Sequence, residues 1–266
     1  MSAAIIVPAR YASSRYPGKP LVPLKGAGGE AKPLIRRTWE AGRQVRGIDT
    51  LVIATDDARI ADAARGFGAE VAMTPESCAN GTERCAAALA SLPDGVDIVV
   101  NLQGDAPLTP PHFLSALLDA MAADPTIQVA TPAIRATPEV QRRLFADQAE
   151  GRVGGTTLAT DSRGDALYFS KSVIPHIPQP RIGDPTLPVF LHVGVYAYRR
   201  DALAAYAAAP ACELELLEGL EQIRFLDMRV PVRMVEVDPM GCDIWELNNP
   251  EDAAVIETAL ASRGLD

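Results

Sequence analysis

Short apolar runs alternate with amphipathic stretches through the first half of this chain, and that alternation is its strongest constraint on fold. Ala3–Val7, Leu51–Thr55 and Asp97–Leu102 each have the length of a buried strand, and Glu70–Met73 is a shorter one. Helical patterns fall between them, near Leu34–Val45, from Ala58 to about Arg65, and from Thr82-Glu83 through Leu89. Asp56 is placed to cap the second of these. Thr109-Pro110 gives an N-cap and first-turn signal for a further helix with Leu114, Leu117, Leu118 and Met121 on one face. This strand–helix repeat predicts an α/β fold with a mostly parallel sheet covered on both faces.

The middle of the chain changes character. Val129–Thr131, Thr156–Thr160, Ala166–Phe169 and Phe190–Tyr198 read as strands, and five prolines between 175 and 188 mark a long irregular connection before the last. A helix is expected over Glu213–Phe225 and a strand over Val232–Val237. Asn249-Pro250-Glu251-Asp252 predicts the start of a terminal helix, with acids at its positive end. The expected organisation is a single domain over residues 1–266, with roughly 135–230 contributing a smaller β-rich lobe.

Bulk properties remove several function classes. With 34 acidic against 25 basic residues the chain carries a formal net charge of -9, which leaves no broad cationic surface for a nucleic acid. Cys78, Cys85, Cys212 and Cys242 have no metal-ligand spacing and form no CxxC pair, which fits reduced thiols in a cytoplasmic protein. The apolar N-terminal run is too short for a signal peptide, and no run reaches membrane-spanning length.

Against that acidic background, Pro8–Leu21 (PARYASSRYPGKPL) places Arg10, Arg15 and Lys19 in one loop with no acid among them. The loop follows the first strand, where α/β sheets bind ligands, and its cations suit polyphosphate. A solvated basic loop would look the same in isolation. Asn101-Leu102-Gln103-Gly104-Asp105 closes another strand with a carboxylate preceded by glycine, which suits a hard divalent cation holding phosphate oxygens. Asp105 equally suits a cap on the turn before Pro107. Asp243 lies just after the strand Val232–Val237 and is a second candidate carboxylate.

Several further motifs follow in order: Ala54-Thr55-Asp56-Asp57-Ala58-Arg59-Ile60, Asn80-Gly81-Thr82-Glu83-Arg84, VNLQGDAPL, ALYFSK, HVGVYAYR and LEGLEQIR. Together with the basic loop they resemble the 3-deoxy-manno-octulosonate (Kdo) cytidylyltransferase family, the CMP-Kdo synthetases, over nearly the whole chain. The resemblance implies a Rossmann-like nucleotidyltransferase of lipopolysaccharide biosynthesis that uses CTP and Mg²⁺, releases pyrophosphate and works as a homodimer. It implies that Arg10, Ser14, Arg15 and Lys19 bind triphosphate, and that Asn80, Gly81, Thr82, Arg84 and Gln103 bind cytidine. It further implies acceptor contacts from Lys171, His192, Tyr196, Glu221 and Gln222, and magnesium ligands at Asp105 and Asp243. Arg10, Lys19 and Asp105 are then the catalytic set: Arg10 and Lys19, with Arg15, would neutralise charge that builds on the leaving group, and Asp105 would hold the metal ion. Glu218, Glu221 and Gln222, on one expected helix, are placed to hydrogen-bond a polyhydroxylated sugar, although Glu218 equally fits an exposed polar face.

The departures from the family pattern cluster on the acceptor side. Ala106 follows Asp105 where the family has glutamate, and Lys171 replaces an arginine, exchanging a bidentate fork for a point charge. Gly154-Gly155-Thr156-Thr157 carries no charge where a lysine is usual. The compact family motif GVDTPEDL is lengthened to the stretch from Gly241 to Asp252. These changes keep open a different acidic acceptor, such as 8-amino-Kdo, another acid sugar or a phosphonate. A metal-dependent glycosyltransferase would want a DxD pair, and Gly104-Asp105-Ala106 offers one acid. A dinucleotide enzyme would want GxGxxG after the first strand, which is missing. The non-enzyme reading is a nucleotide-sensing or structural relative that has lost activity; the intact Arg10, Lys19 and Asp105 speak against it, and an assay decides.

Overall fold

A computed structural model describes residues 2–13, 15–242 and 244–266. The chain divides into two compact units. The first holds Met1–Ser115, Ala197–Ala207 and Pro239–Asp266, and the second holds Ala116–Tyr196 and Ala208–Asp238.

The first unit opens with β1 (Ser2–Ala9), a hairpin of β2 (Pro23–Lys25) and β3 (Ala31–Pro33), and α1 (Leu34–Gly42). Then come β4 (Thr50–Thr55), α2 (Ala58–Gly66), β5 (Glu70–Met73), α3 (Gly81–Ala87) and β6 (Val96–Leu102). Helix α4 (Pro111–Ala123) leads into the second unit. Strands run in the order β5-β4-β1-β6, all neighbours parallel. Ile5, Ile6, Val7, Ile53, Ile98, Val99 and Val100 are buried, as strands covered on both faces require. Helix α1 buries Leu34, Ile35, Thr38, Trp39 and Gly42, a stripe at helical spacing. Because the strands are parallel, the loops after β1, β4 and β6 leave from one edge of the sheet. The chain steps from β1 to β4 on one side and returns to β6 on the other, making that edge beside β1 a topological switch point.

The second unit contains β7 (Val129–Arg135), α5 (Pro138–Ala149), β8 (Thr157–Thr160), β9 (Ala166–Ser170) and β10 (Phe190–His192). Strand β11 (Val195–Arg199) carries the chain back to the first unit, where α6 (Arg200–Ala208) starts. Helices α7 (Glu213–Glu218) and α8 (Ile223–Asp227) and strand β12 (Val232–Glu236) complete the second unit, and α9 (Asp252–Ser262) belongs to the first. The strand order here is β7-β10-β8-β9 with antiparallel neighbours, while β12 lies parallel to β7. The strands as a whole are therefore mixed and not mostly parallel, with the parallel set β5-β4-β1-β6 forming the core of the first unit. Among the described residues no helix is long and apolar enough to cross a membrane.

Several expected elements shift. The run Phe190–Tyr198 is two strands, interrupted at Val193-Gly194. The helix expected over Glu213–Phe225 is broken by Gly219, whose φ of 62° ends α7 in a left-handed cap. Glu218 therefore ends one helix, and Glu221 and Gln222 precede the next. Helix α5 is an addition to the expected elements, although Thr137-Pro138-Glu139 is a start signal and Thr137 caps it. Asp57, not Asp56, caps α2, accepting from the Arg59 N–H at 2.9 Å. The terminal helix begins at Asp252, whose carboxylate accepts from the N–H groups of Asn248 and Asn249.

Candidate active site

The site in the first unit starts from two adjacent strand ends. At Gly104 a Cβ would sit 2.6 Å from the Pro8 carbonyl oxygen, so only glycine lets the turn after β6 lie against the end of β1. Thr38 of α1 donates to the Gly104 carbonyl at 3.1 Å and holds that turn down. The approach brings Asp105 to the basic loop, where Lys19 Nζ donates to Asp105 Oδ2 at 2.5 Å. Lys19 also donates to the Leu247 carbonyl at 3.1 Å, and the Leu247 N–H donates to the Asp105 carbonyl at 2.9 Å. The lengthened segment before α9 is thus folded along Asp105.

The basic loop is braced from a second side. The Arg59 guanidinium lies 3.4 Å over the Tyr11 ring and pairs bidentately with Asp57. Those Arg59 bonds hold the Asp57 carboxyl below its ordinary value. Arg15 donates to Asn248 Oδ1 at 2.8 Å. Arg10, Arg15 and Lys19 line a cavity of about 210 Å³ together with Asn80, Gly81, Arg84, Gln103, Gly104 and Asp105. Ser14 and Asp243 lie outside the described residues.

Asn80 and Arg84 serve two purposes. Asn80 caps α3, accepting from the Glu83 N–H at 2.8 Å, and donates through Nδ2 to the Tyr206 hydroxyl at 3.0 Å. Arg84 is buried, paired with Asp56 at 2.9 Å and donating to Thr74 Oγ1 at 2.6 Å. Asp56, freed from capping, is the counter-charge that makes a buried arginine tolerable beside the cavity. Thr82 does not line the cavity. It is buried behind it, its hydroxyl 2.8 Å from that of Tyr198, which accepts from Asn101 Nδ2 at 3.4 Å.

Glu246 is the site residue that the sequence did not single out. Its carboxyl is pushed up to about 7, first by burial and then by the charge of Asp105, while Lys19, an Asn248 hydrogen bond and Arg15 pull the other way. Two carboxylates therefore share the field of Lys19 and Arg15. The signal that points to it is register. If Pro250-Glu251-Asp252 is laid on the PED of GVDTPEDL, Asn248 takes the place of that motif's aspartate, and Glu246 is the acid nearest it on the N-terminal side. Asp105 and Glu246 offer hard oxygen donors of the kind a divalent cation takes. Among the described residues no group of three or more His, Cys, Asp or Glu gathers as a metal cluster, so such a cation would draw its remaining ligands from phosphate oxygens and water.

The acceptor candidates lie in the second unit. His192 Nε2 is 3.0 Å from Thr131 Oγ1, and Thr131 gives its own proton to the Val195 carbonyl at 2.8 Å. A hydroxyl donates once, so the proton between His192 and Thr131 sits on Nε2 and Nδ1 is left as an acceptor. Burial pushes the His192 pKa down to about 3, keeping the ring neutral. Its ring stands edge-on to Phe169 and 5.5 Å from Tyr196. The buried Tyr196 hydroxyl donates to Gln222 Oε1 at 3.0 Å, whereas Gln222 Nε2 is buried with no partner among the described residues. An orphaned amide donor in a polar network suits a ligand oxygen. Lys171 is exposed, and Glu221 is partly buried ahead of α8.

Comparisons with known proteins agree with one another. A family model described as Cytidylyltransferase matches residues 4–230. The chain is 44% identical over 264 residues to the 3-deoxy-manno-octulosonate cytidylyltransferase of Maricaulis maris, covering 99% of each protein. It is 38% identical over 260 residues to the mitochondrial 3-deoxy-manno-octulosonate cytidylyltransferase of Arabidopsis thaliana, covering 98% of this chain and 83% of that protein. The solved structure of a CMP:2-keto-3-deoxy-manno-octonic acid synthetase complexed with CTP superposes with a TM-score of 0.84 at 32% identity, covering 99% of this chain and all of that one.

Proposed function

Because the chain belongs to the 3-deoxy-manno-octulosonate cytidylyltransferase family, we propose that it joins CMP from CTP to the anomeric hydroxyl of Kdo and releases pyrophosphate. The observation that carries this reading is the meeting of Arg10, Arg15 and Lys19 with Asp105 around one cavity at the sheet's switch point. In the reaction the anomeric oxygen bonds to the α-phosphorus, the bond from α-phosphorus to the bridging oxygen breaks with its electron pair leaving on pyrophosphate, and the hydroxyl proton passes to solvent. Charge accumulates on the departing pyrophosphate, where Arg10, Arg15 and Lys19 are suited to neutralise it. Arginine has no acid–base part at neutral pH, so these residues position and stabilise.

Asp105 and Glu246 are the described residues that would hold Mg²⁺, with Asp243 in the same segment as a further candidate. When bound, the cation supplies charge neutralisation at phosphate oxygens and lowers the pKa of the attacking hydroxyl. On the nucleoside side, Asn80, Gly81, Arg84 and Gln103 line the cavity and Thr82 supports it from behind. For the acceptor, Lys171 would meet the carboxylate, while Gln222 Nε2 and His192 Nδ1 offer an unused donor and an acceptor to sugar hydroxyls. The homodimer that the resemblance implies is supported by Leu216 and Leu217 of α7, which are 71% and 74% exposed in the single chain.

Pyrophosphate release from CTP with Mg²⁺ and a panel of Kdo, 8-amino-Kdo, a sialic acid and a small phosphonate tests the assignment. Turnover is expected with CTP and Kdo. Equal turnover with UTP or ATP would remove the cytidylyl assignment, and turnover with the phosphonate alone would remove the sugar-acid acceptor.

A further inference from the structure

Glu218 closes α7, and two groups at the end of β9 converge on its carboxylate. Ser170 Oγ donates to Oε1 at 2.7 Å and the Lys171 N–H donates to Oε2 at 3.0 Å. Ser170 Oγ in turn accepts from the Ser172 N–H at 3.0 Å, so the chain leaving β9 is held at successive residues. A carboxylate is an acceptor only, and here each of its oxygens already takes a donor from the end of β9. Its neighbour Gly219 completes the arrangement. A Cβ there would lie 2.9 Å from Lys171 Nζ, so the lysine ammonium lies across the bare glycine.

We propose that Glu218 is a positioning residue for acceptor capture: by fastening Ser170 and the Lys171 backbone to the end of α7, it aims the Lys171 ammonium, over Gly219, at the carboxylate of an acidic acceptor. The inference rests on reading Lys171 as an acceptor-binding residue. A lysine, unlike the arginine it replaces, has no planar fork to orient itself, so its placement depends on where its backbone and stem are held. Glu218 is thereby a determinant of acceptor affinity and has no part in nucleotide binding.

Steady-state kinetics of Glu218→Gln and Lys171→Ala, and of the double variant, test this with CTP and Kdo varied separately. Glu218→Gln keeps the shape of the side chain but replaces one acceptor oxygen by a donor. It is expected to raise the KM for Kdo about tenfold with the KM for CTP unchanged. Ser170→Ala, which removes one donor, moves the Kdo KM in the same direction by less. In the double variant, Glu218→Gln adds nothing to the effect of Lys171→Ala, because it acts through that residue. A purely structural role would instead add its own loss and raise both KM values. If Lys171→Ala raises the Kdo KM and Glu218→Gln leaves it unchanged or lower, the positioning role is wrong. If Lys171→Ala has no effect on the Kdo KM, the acceptor reading of Lys171 fails and the inference falls with it.

Discussion

Lys19 Nζ lies 2.5 Å from Asp105 Oδ2, joining the loop after β1 to the turn after β6 across 86 residues of sequence. The pair brings the cation group suited to phosphate together with the carboxylate suited to a metal. Neither residue is well placed without its supports: Gly104 allows the strand ends to touch, and the segment around Leu247 holds both partners through backbone groups.

Asp105→Asn should lower turnover on the order of a thousandfold while leaving the fold intact, since a partly exposed carboxylate is replaced by an isostere. Circular dichroism and pyrophosphate release measured on the same sample check both halves. Near-wild-type turnover would exclude a metal role for Asp105.

Glu246→Gln should weaken Mn²⁺ binding in the presence of CTP about tenfold or more, read by electron paramagnetic resonance of the free ion. Asp243→Asn is the matched comparison. Should Asp243→Asn abolish binding while Glu246→Gln leaves it unchanged, Glu246 is no ligand.

His192 should make the protein acid-sensitive. Its folded-state pKa of about 3 lies below the ordinary 6.5, so the unfolded chain binds the proton more readily. The stability contribution is complete above pH 6.5 and is lost as pH falls from there toward 3. At pH 5 the loss is about 2 kcal/mol. Urea unfolding at pH 7 and pH 5 should show this difference between the wild type and His192→Gln. Parallel profiles for the two would remove the assignment.

Arg84→Ala leaves Asp56 as an unpaired charge beside the cavity and Thr74 without its donor. A loss of about 3–5 kcal/mol is expected, as for other broken buried pairs. Asp56→Asn, which leaves the buried arginine unpaired, should also destabilise. If thermal unfolding of both variants matches wild type, the pair has no structural weight.

Much of the site is legible in the amino-acid sequence. The apolar runs Ala3–Val7 and Asp97–Leu102 locate two strand ends, and the residues just beyond them include Arg10, Arg15, Lys19, Gln103 and Asp105, which line the cavity. The pattern over Glu213–Phe225 reads as a single helix because Leu217, Leu220 and Ile223 keep helical spacing across Gly219, and periodicity does not register one left-handed residue. Asp56 and Asp57 are adjacent acids before a helix, and local pattern does not say which one caps. The choice is made by Arg84, 28 positions away, which needs a buried counter-charge.

The sequence alone therefore determined what is local: where strands begin and end, which loop carries the cations, and, through ordered motifs, the family. Tertiary structure decided what depends on distance through space. It placed Glu246 in the field of Asp105, turned Asp56 from a cap into a counter-ion, moved Thr82 behind the cavity, and set Glu218 under Lys171. The physical reason is that hydrophobic periodicity and backbone preference act between near neighbours along the chain. Hydrogen bonds and charge–charge terms act over a few ångströms between groups that only the packed strands and loops bring together.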